Sequence, residues 1–299
     1  MFMKRLILYI LGLVAAISPM SAADGDLFPY PVPPADMSRL DERCDFLVSR
    51  FWRGCDFKSA MSKREKLNAT FGDWISFMPY ATADTVYASI DRLMHSVSKS
   101  GPITLELANM AAGWVYSDTS EIRSEEIFYP FAKAVANNKK VNSADRAWFE
   151  NQVSIIENSG LGKTVKTLEY TTPDGKKGSI DDVHTQMVVV MFNDHDCDAC
   201  TLARVRLSAD INANALIKNG LLTVLCIEPN EATDSWRASA AGFPEEWTVG
   251  CWEDADEYFA ITSSPTIYLL NSRHKVLAKD VKTDDLLSAL AAMRQQTGL

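Results

Sequence analysis

In the stretch TADTVYASIDRLMHSVSKSG the apolar residues Val86, Ile90, Leu93, Met94 and Val97 recur at i, i+4, i+7, i+8 and i+11. That spacing predicts an amphipathic helix, started by Thr82 or Asp84 and stopped at Gly101. The same period runs through MSRLDERCDFLVSRFW, ITLELANMAAGWVYS, SEEIFYPFAKAVANN and SADRAWFENQVSIIENSG, each with a polar cap before it or a Gly or Asn after it. Five or six helices with short connections over residues 37–160 predict an all-α domain packed as a bundle. His95 is the one histidine of this half, and a single helix histidine with no partner motif carries no chemistry.

Beyond Gly160 the period changes from helical to strand-like. KTLEYTTPDGKKGSIDDV reads as two short strands about a Pro-Asp-Gly turn. TQMVVVMFN and LLTVLCIEP are continuous apolar runs, as expected of strands buried on both faces. Between them CDACTLARVRLSADINANALIKNG is helical; SPTIYLLN and KVLAKD read as strands joined at Ser-Arg-His, and DDLLSALAAMRQQ as a closing helix. The order β-β, β-α-β, β-β-α predicts an α/β domain over residues 161–299, a mixed central sheet with helices on both sides.

The N-terminus modifies this picture. Lys4 and Arg5, an apolar run from Leu6 to Ile17 and the small residues Ser21, Ala22 and Ala23 have the layout of a signal peptide over residues 1–23, cleaved near Ala22 or Ala23. The run is shorter than the roughly 20 residues needed to span a bilayer. Residues 24–36, with four prolines, can be neither helix nor central strand and read as an extended linker or surface arm. No later stretch is long and apolar enough to cross a membrane, so no stable span is expected after cleavage. The whole chain has 30 basic and 39 acidic residues, a net charge of −9 that grows more negative once Lys4 and Arg5 are lost. Such an acidic surface argues against nucleic acid as a partner. The reading is of a periplasmic protein.

An exported chain meets an oxidising compartment, where cysteine spacing matters. Of the six cysteines only Cys197 and Cys200, in FNDHDCDAC, are close in sequence. Cys197 falls where a buried strand ends and a helix begins. Unpaired N–H groups and the positive end of the helix dipole favour a thiolate there, and Cys200, one turn on, is placed to attack a mixed disulfide on Cys197. Ser264-Pro265 precedes an apolar strand about 65 residues later; proline cannot sit inside a central strand, so it marks the strand start and is a candidate for a cis bond.

These three elements, with the leading hairpin TTPDGKKGSIDDV, resemble the thioredoxin fold of TlpA/ResA-like envelope thiol-disulfide oxidoreductases over residues 161–299. The helical half resembles an uncharacterised helical domain that precedes thioredoxin folds in some Gram-negative envelope proteins. The resemblance implies a nucleophile at Cys197, a resolving thiol at Cys200, and a cis-proline loop at Ser264 and Pro265 that presents backbone to the substrate. It implies disulfide-containing protein substrates and a thiol electron donor, and no cofactor. Two departures stand out: Asp196 replaces the usual aromatic residue before the first cysteine, and Met191 occupies the position of the usual buried acid.

Asp194, Asp196 and Asp198 have two readings, as caps at a helix start and as negative charge that disfavours the thiolate and makes the dithiol a weak oxidant. His195 with the two cysteines could offer three ligands to copper or zinc, but no second Cys/His cluster completes the set, and no metal is expected. Cys44, Cys55 and Cys226 read as core thiols; Cys251, flanked by Trp247 and Trp252, reads as a free thiol near a loop or one paired elsewhere. The function expected is a thiol-disulfide reductase. The competing class is a binding module with a static Cys197–Cys200 disulfide, and a disulfide isomerase is a third.

Overall fold

The computed structural model describes residues 27–299 except 118 and 262, so the predicted signal peptide and the first residues of the Pro-rich arm lie outside the described residues. The chain divides into two compact units, one ending at Phe149 and the other beginning at Glu150.

The first unit is helical: α1 (Leu40–Arg50), α2 (Arg64–Phe77), α3 (Ala83–Val97), α4 (Gly101–Val115), α5 (Glu125–Ala136) and the start of α6 (Ser143–Ser159). Val86, Ile90, Leu93, Met94 and Val97 are all buried on one face of α3, as their spacing requires. Helix α2 is absent from the sequence reading because its buried face is mixed: Leu67, Thr70, Phe71, Gly72, Trp74 and Ile75. Gly72 lies under the Trp114 indole, so a small residue interrupts the apolar stripe for a packing reason. Trp74 is fully buried and its indole N–H donates to the Val48 carbonyl at 3.1 Å. The Pro-rich arm is anchored by buried Phe28, whose ring lies 5.9 Å from Phe51 and 5.5 Å from Trp52.

In the second unit the strands are β1 (Glu169–Thr171), β2 (Lys177–Ser179), β3 (Met187–Phe192), β4 (Leu222–Glu228), β5 (Thr248–Cys251), β6 (Thr266–Asn271) and β7 (Val276–Ala278). Among the described residues they form one sheet in the order β2-β1-β5-β4-β3-β6-β7, parallel for β5-β4-β3 and antiparallel elsewhere. The helices are α7 (Asp198–Ala209), α8 (Ile211–Lys218), α9 (Asp234–Ala240) and α10 (Thr283–Thr297). Alternate residues of the apolar runs feed two cores: Val188, Val190, Phe192, Leu225 and Ile227 on one face, and Val189, Met191, Val224 and Cys226 with Leu207, Leu216 and Leu290 on the other. A single period-2 pattern therefore appears in sequence as unbroken hydrophobicity.

Three local features differ from expectation. The helix predicted to follow Cys197 is two helices, broken at Asp210, whose carboxylate caps α8 by accepting the Asn212 and Ala213 N–H groups at 2.9 and 2.8 Å. Strand β5 and helix α9 were not expected. TVGC is too short to show a period, yet it fills the place between β4 and β1, with Gly250 required because Tyr170 would lie 2.7 Å from a Cβ there. Among the described residues no helix is long and apolar enough to cross a membrane.

Candidate functional site

The site lies at the carboxyl ends of the parallel strands β3 and β4, where open α/β sheets place ligands. After Phe192 the chain keeps one further sheet bond, from Asn193 N–H to the Ile227 carbonyl at 2.8 Å, then turns through Asp194–Asp196. The turn is held by Asp194: its side chain accepts the Asp196 N–H at 2.9 Å and its carbonyl accepts the Cys197 N–H at 3.3 Å.

Cys197 is itself the N-cap of α7. Its sulfur accepts the Cys200 N–H at 3.1 Å, taking one of the donors that a helix start leaves unpaired. On its other side the thiol donates to the Ser264 carbonyl at 3.4 Å. Antiparallel pairing sets Thr266 opposite Phe192, which brings the Ser264-Pro265 peptide, cis as the sequence suggested, beside the dithiol. The Thr266 hydroxyl donates to the Ser263 carbonyl at 2.5 Å and fixes that loop.

The two thiols are unlike. Cys197 is half-buried, whereas Cys200 is 1% exposed. Burial, and after it the hydrogen bond with Cys197, push the Cys200 thiol up to about 12, against a smaller opposing effect of a hydrogen bond from the Asp194 backbone. All six cysteines are free thiols in this structure. Cys226 is buried beneath α7, and burial raises its thiol strongly. Cys251 lies within β5, buried, its thiol donating to the Thr171 carbonyl at 3.5 Å. Trp247 belongs to the core under α7, and Trp252 stacks on Tyr258 at 5.2 Å on the opposite face.

The three aspartates occupy different surroundings. Asp196 and Asp198 are exposed; Asp194 is half-buried, and its charge acts on Cys200. His195 faces away from a two-cysteine ligand set, toward a residue absent from the sequence reading, Glu228. The last residue of β4, Glu228 is buried, and its Oε2 accepts the His195 backbone N–H at 2.9 Å. The available signal was LLTVLCIEP, an acid closing an otherwise apolar strand. Met191 is buried in the core as an apolar residue, so the carboxylate near the dithiol comes from the neighbouring strand.

A mixed sheet flanked by helices, with a dithiol at the β3–α7 junction and a cis-proline loop beside it, is a thioredoxin-like fold preceded by an all-α unit. Comparison with known proteins agrees. Residues 14–159 match a family described as "Domain of unknown function (DUF5106)". A thioredoxin-like protein from Bacteroides caccae is similar at 23% identity and a TM-score of 0.69, over 90% of this chain and 99% of that one. A thiol:disulfide interchange protein from Bacteroides sp. is similar over 46% of this chain and 92% of its own, with 20% identity and a TM-score of 0.40. The C-terminal domain of an uncharacterised protein from Bacteroides fragilis is 28% identical over 45% of this chain and 99% of its own, with a TM-score of 0.42. No curated protein matches the chain.

Proposed function

We propose that this chain is an exported, periplasmic thiol-disulfide oxidoreductase, working as a reductase through Cys197 and Cys200. One observation carries the reading: a half-exposed Cys197 sulfur is held at a helix start between the Cys200 N–H and the Ser264 carbonyl, with a buried second thiol one turn behind it. The helix-start donor stabilises charge on Cys197 as it attacks, and the Ser264 carbonyl offers an acceptor for substrate backbone next to the sulfur. Exposure of the first thiol also speaks for turnover over a static structural disulfide. The export pattern at residues 1–23 puts such a dithiol where disulfide-bonded proteins are its substrates and a thiol donor must re-reduce it.

In this mechanism Cys197 attacks a substrate disulfide, and Cys200 displaces the substrate from the mixed disulfide. The Cys200→Ser variant should therefore accumulate a covalent, thiol-reversible complex with disulfide-bonded protein, and the Cys197→Ser variant should accumulate none. Equal trapping by both variants, or by neither, rules the mechanism out. The reductase direction rests on the acidic groups around the pair, which oppose thiolate formation and so make a poor oxidant. A Cys197/Cys200 reduction potential near that of thioredoxin supports it; one near that of strong periplasmic oxidants rejects it.

A further inference from the structure

Glu228 has a side chain only 1% exposed. A buried carboxylate is costly unless hydrogen-bonded, and both oxygens are: Oε2 by the His195 N–H at 2.9 Å, Oε1 by Asn230 Nδ2 at 2.9 Å. The His195 ring, by contrast, carries a buried Nδ1 that makes no hydrogen bond. That atom lies 3.5 Å from Glu228 Oε2 and 3.9 Å from Asp194 Oδ1, while Nε2 lies 3.6 Å from Asp196 Oδ2. In the tautomer with its hydrogen on Nε2, the ring turns a lone pair toward two carboxylates, so a proton arriving on Nδ1 meets opposite charge on two sides. Asp194 joins this pair to the dithiol, since its backbone hydrogen-bonds Cys200 and its charge acts on that thiol.

We propose that Asp194, His195 and Glu228 form a relay that accepts the Cys200 proton, which passes by the Asp194 carboxylate to His195 Nδ1, with Glu228 as the positioning residue that holds His195. The proposal rests on the dithiol reading above and supplies the base that Met191 cannot be. In the mixed disulfide, Cys200 Sγ bonds to Cys197 Sγ, the bond from Cys197 to the substrate sulfur breaks, and that sulfur leaves as a thiolate with the electron pair. The proton lost by Cys200 enters the relay and returns through solvent to the departing thiolate. The dithiol loses two electrons and the substrate disulfide gains them. The titratable groups facing the relay are Asp196 on its own loop, Cys200 on α7, Cys226 on β4 and Cys251 on β5; Arg204 on α7 acts on Cys226, and Arg237 on α9 on Cys251.

The test uses the reduced full chain and a symmetrical chromogenic aryl disulfide in stopped flow. A first burst of aryl thiolate reports attack by Cys197, and a second burst reports resolution by Cys200. In Glu228→Gln, whose amide oxygen can still accept the His195 N–H, the ratio of second to first rate should fall on the order of a hundredfold near pH 7, the usual scale of a lost general base. The deficit should shrink as rising pH lets hydroxide replace the base. His195→Gln, at a partly exposed ring, should behave alike and guards against a folding defect in the first variant. Wild-type ratios in both variants, or a deficit that does not change with pH, overturn the relay and leave the dithiol standing. A wild-type chain without a second burst, or a Cys200→Ser chain that retains one, overturns the dithiol reading itself.

Discussion

Alkylation of the reduced protein at neutral pH should stop at one thiol of the pair. The thiolate is the reacting species, and burial with the Cys197 contact pushes Cys200 up to about 12. At pH 7 a thiol with a pKa of about 12 is thiolate to ~10⁻⁵, against roughly 3% for an ordinary exposed thiol near 8.5, a handicap of about 3,000-fold. The more basic thiolate is the better nucleophile; a Brønsted slope of about 0.45 over those 3.5 units returns roughly 40-fold. Ionisation still wins, leaving a net deficit of about 80-fold before access is considered. Access widens it, because Cys200 is 1% exposed and Cys197 is half-buried. Timed iodoacetamide labelling, acid quench and peptide mass spectrometry should find Cys197 modified while Cys200 stays free, with Cys200 labelling rising about tenfold per pH unit toward 11. Comparable labelling of both thiols, or a Cys200 rate indifferent to pH, would refute the reasoning.

The remaining expectations concern packing and pH. Tyr268 is fully buried, and its hydroxyl both donates to the Ala260 carbonyl and accepts the Ala260 N–H, each at 3.1 Å, so Tyr268→Phe strands two backbone groups and should cost about 1.5–3 kcal/mol in urea unfolding. A loss below about 0.5 kcal/mol would show that those groups find other partners. In the helical unit, a Cβ at Gly72 would sit 2.4 Å from Trp114 Cζ2, so Gly72→Ala should displace the indole from its bonds to Asn68, change the tryptophan emission and cost about 1–3 kcal/mol. Unchanged emission and stability would contradict that packing. Finally, burial raises both Cys200 and Cys226, so the folded chain keeps thiol protons that the unfolded chain releases above its ordinary value near 8.5. Their stabilisation is complete below about pH 8 and declines as pH climbs toward 12; denaturant midpoints should fall across that window, less so in Cys226→Ala. A midpoint that held steady to pH 11 would contradict the burial of these thiols.

How much of this was legible beforehand depended on the range of the signal. Helix α3 could be read because five apolar residues at helical spacing report one buried face, whatever that face packs against. Helix α2 could not, because Gly72 and Thr70 are buried for reasons set by Trp114 on another helix and by neighbouring side chains. The dithiol was visible as a spacing, and its strand-to-helix setting as a change of period. Ser264-Pro265 was visible because proline restricts the backbone wherever it stands. Glu228 escaped notice because one acid at the end of an apolar run looks like an ordinary strand terminus.

By itself, then, the sequence determined the two regimes of the chain, helical and then mixed, and the thiols and proline available to its chemistry, since periodicity and residue type act over a few neighbouring positions. The tertiary structure alone decided the partners. Strand order puts β4 beside β3 and so sets Glu228 against His195, 33 residues away. Antiparallel pairing of β6 with β3 sets the Ser264 carbonyl on Cys197, 67 residues away. Those contacts follow from which sheet edges meet, a choice made by burying two whole faces at once, and no local pattern records it.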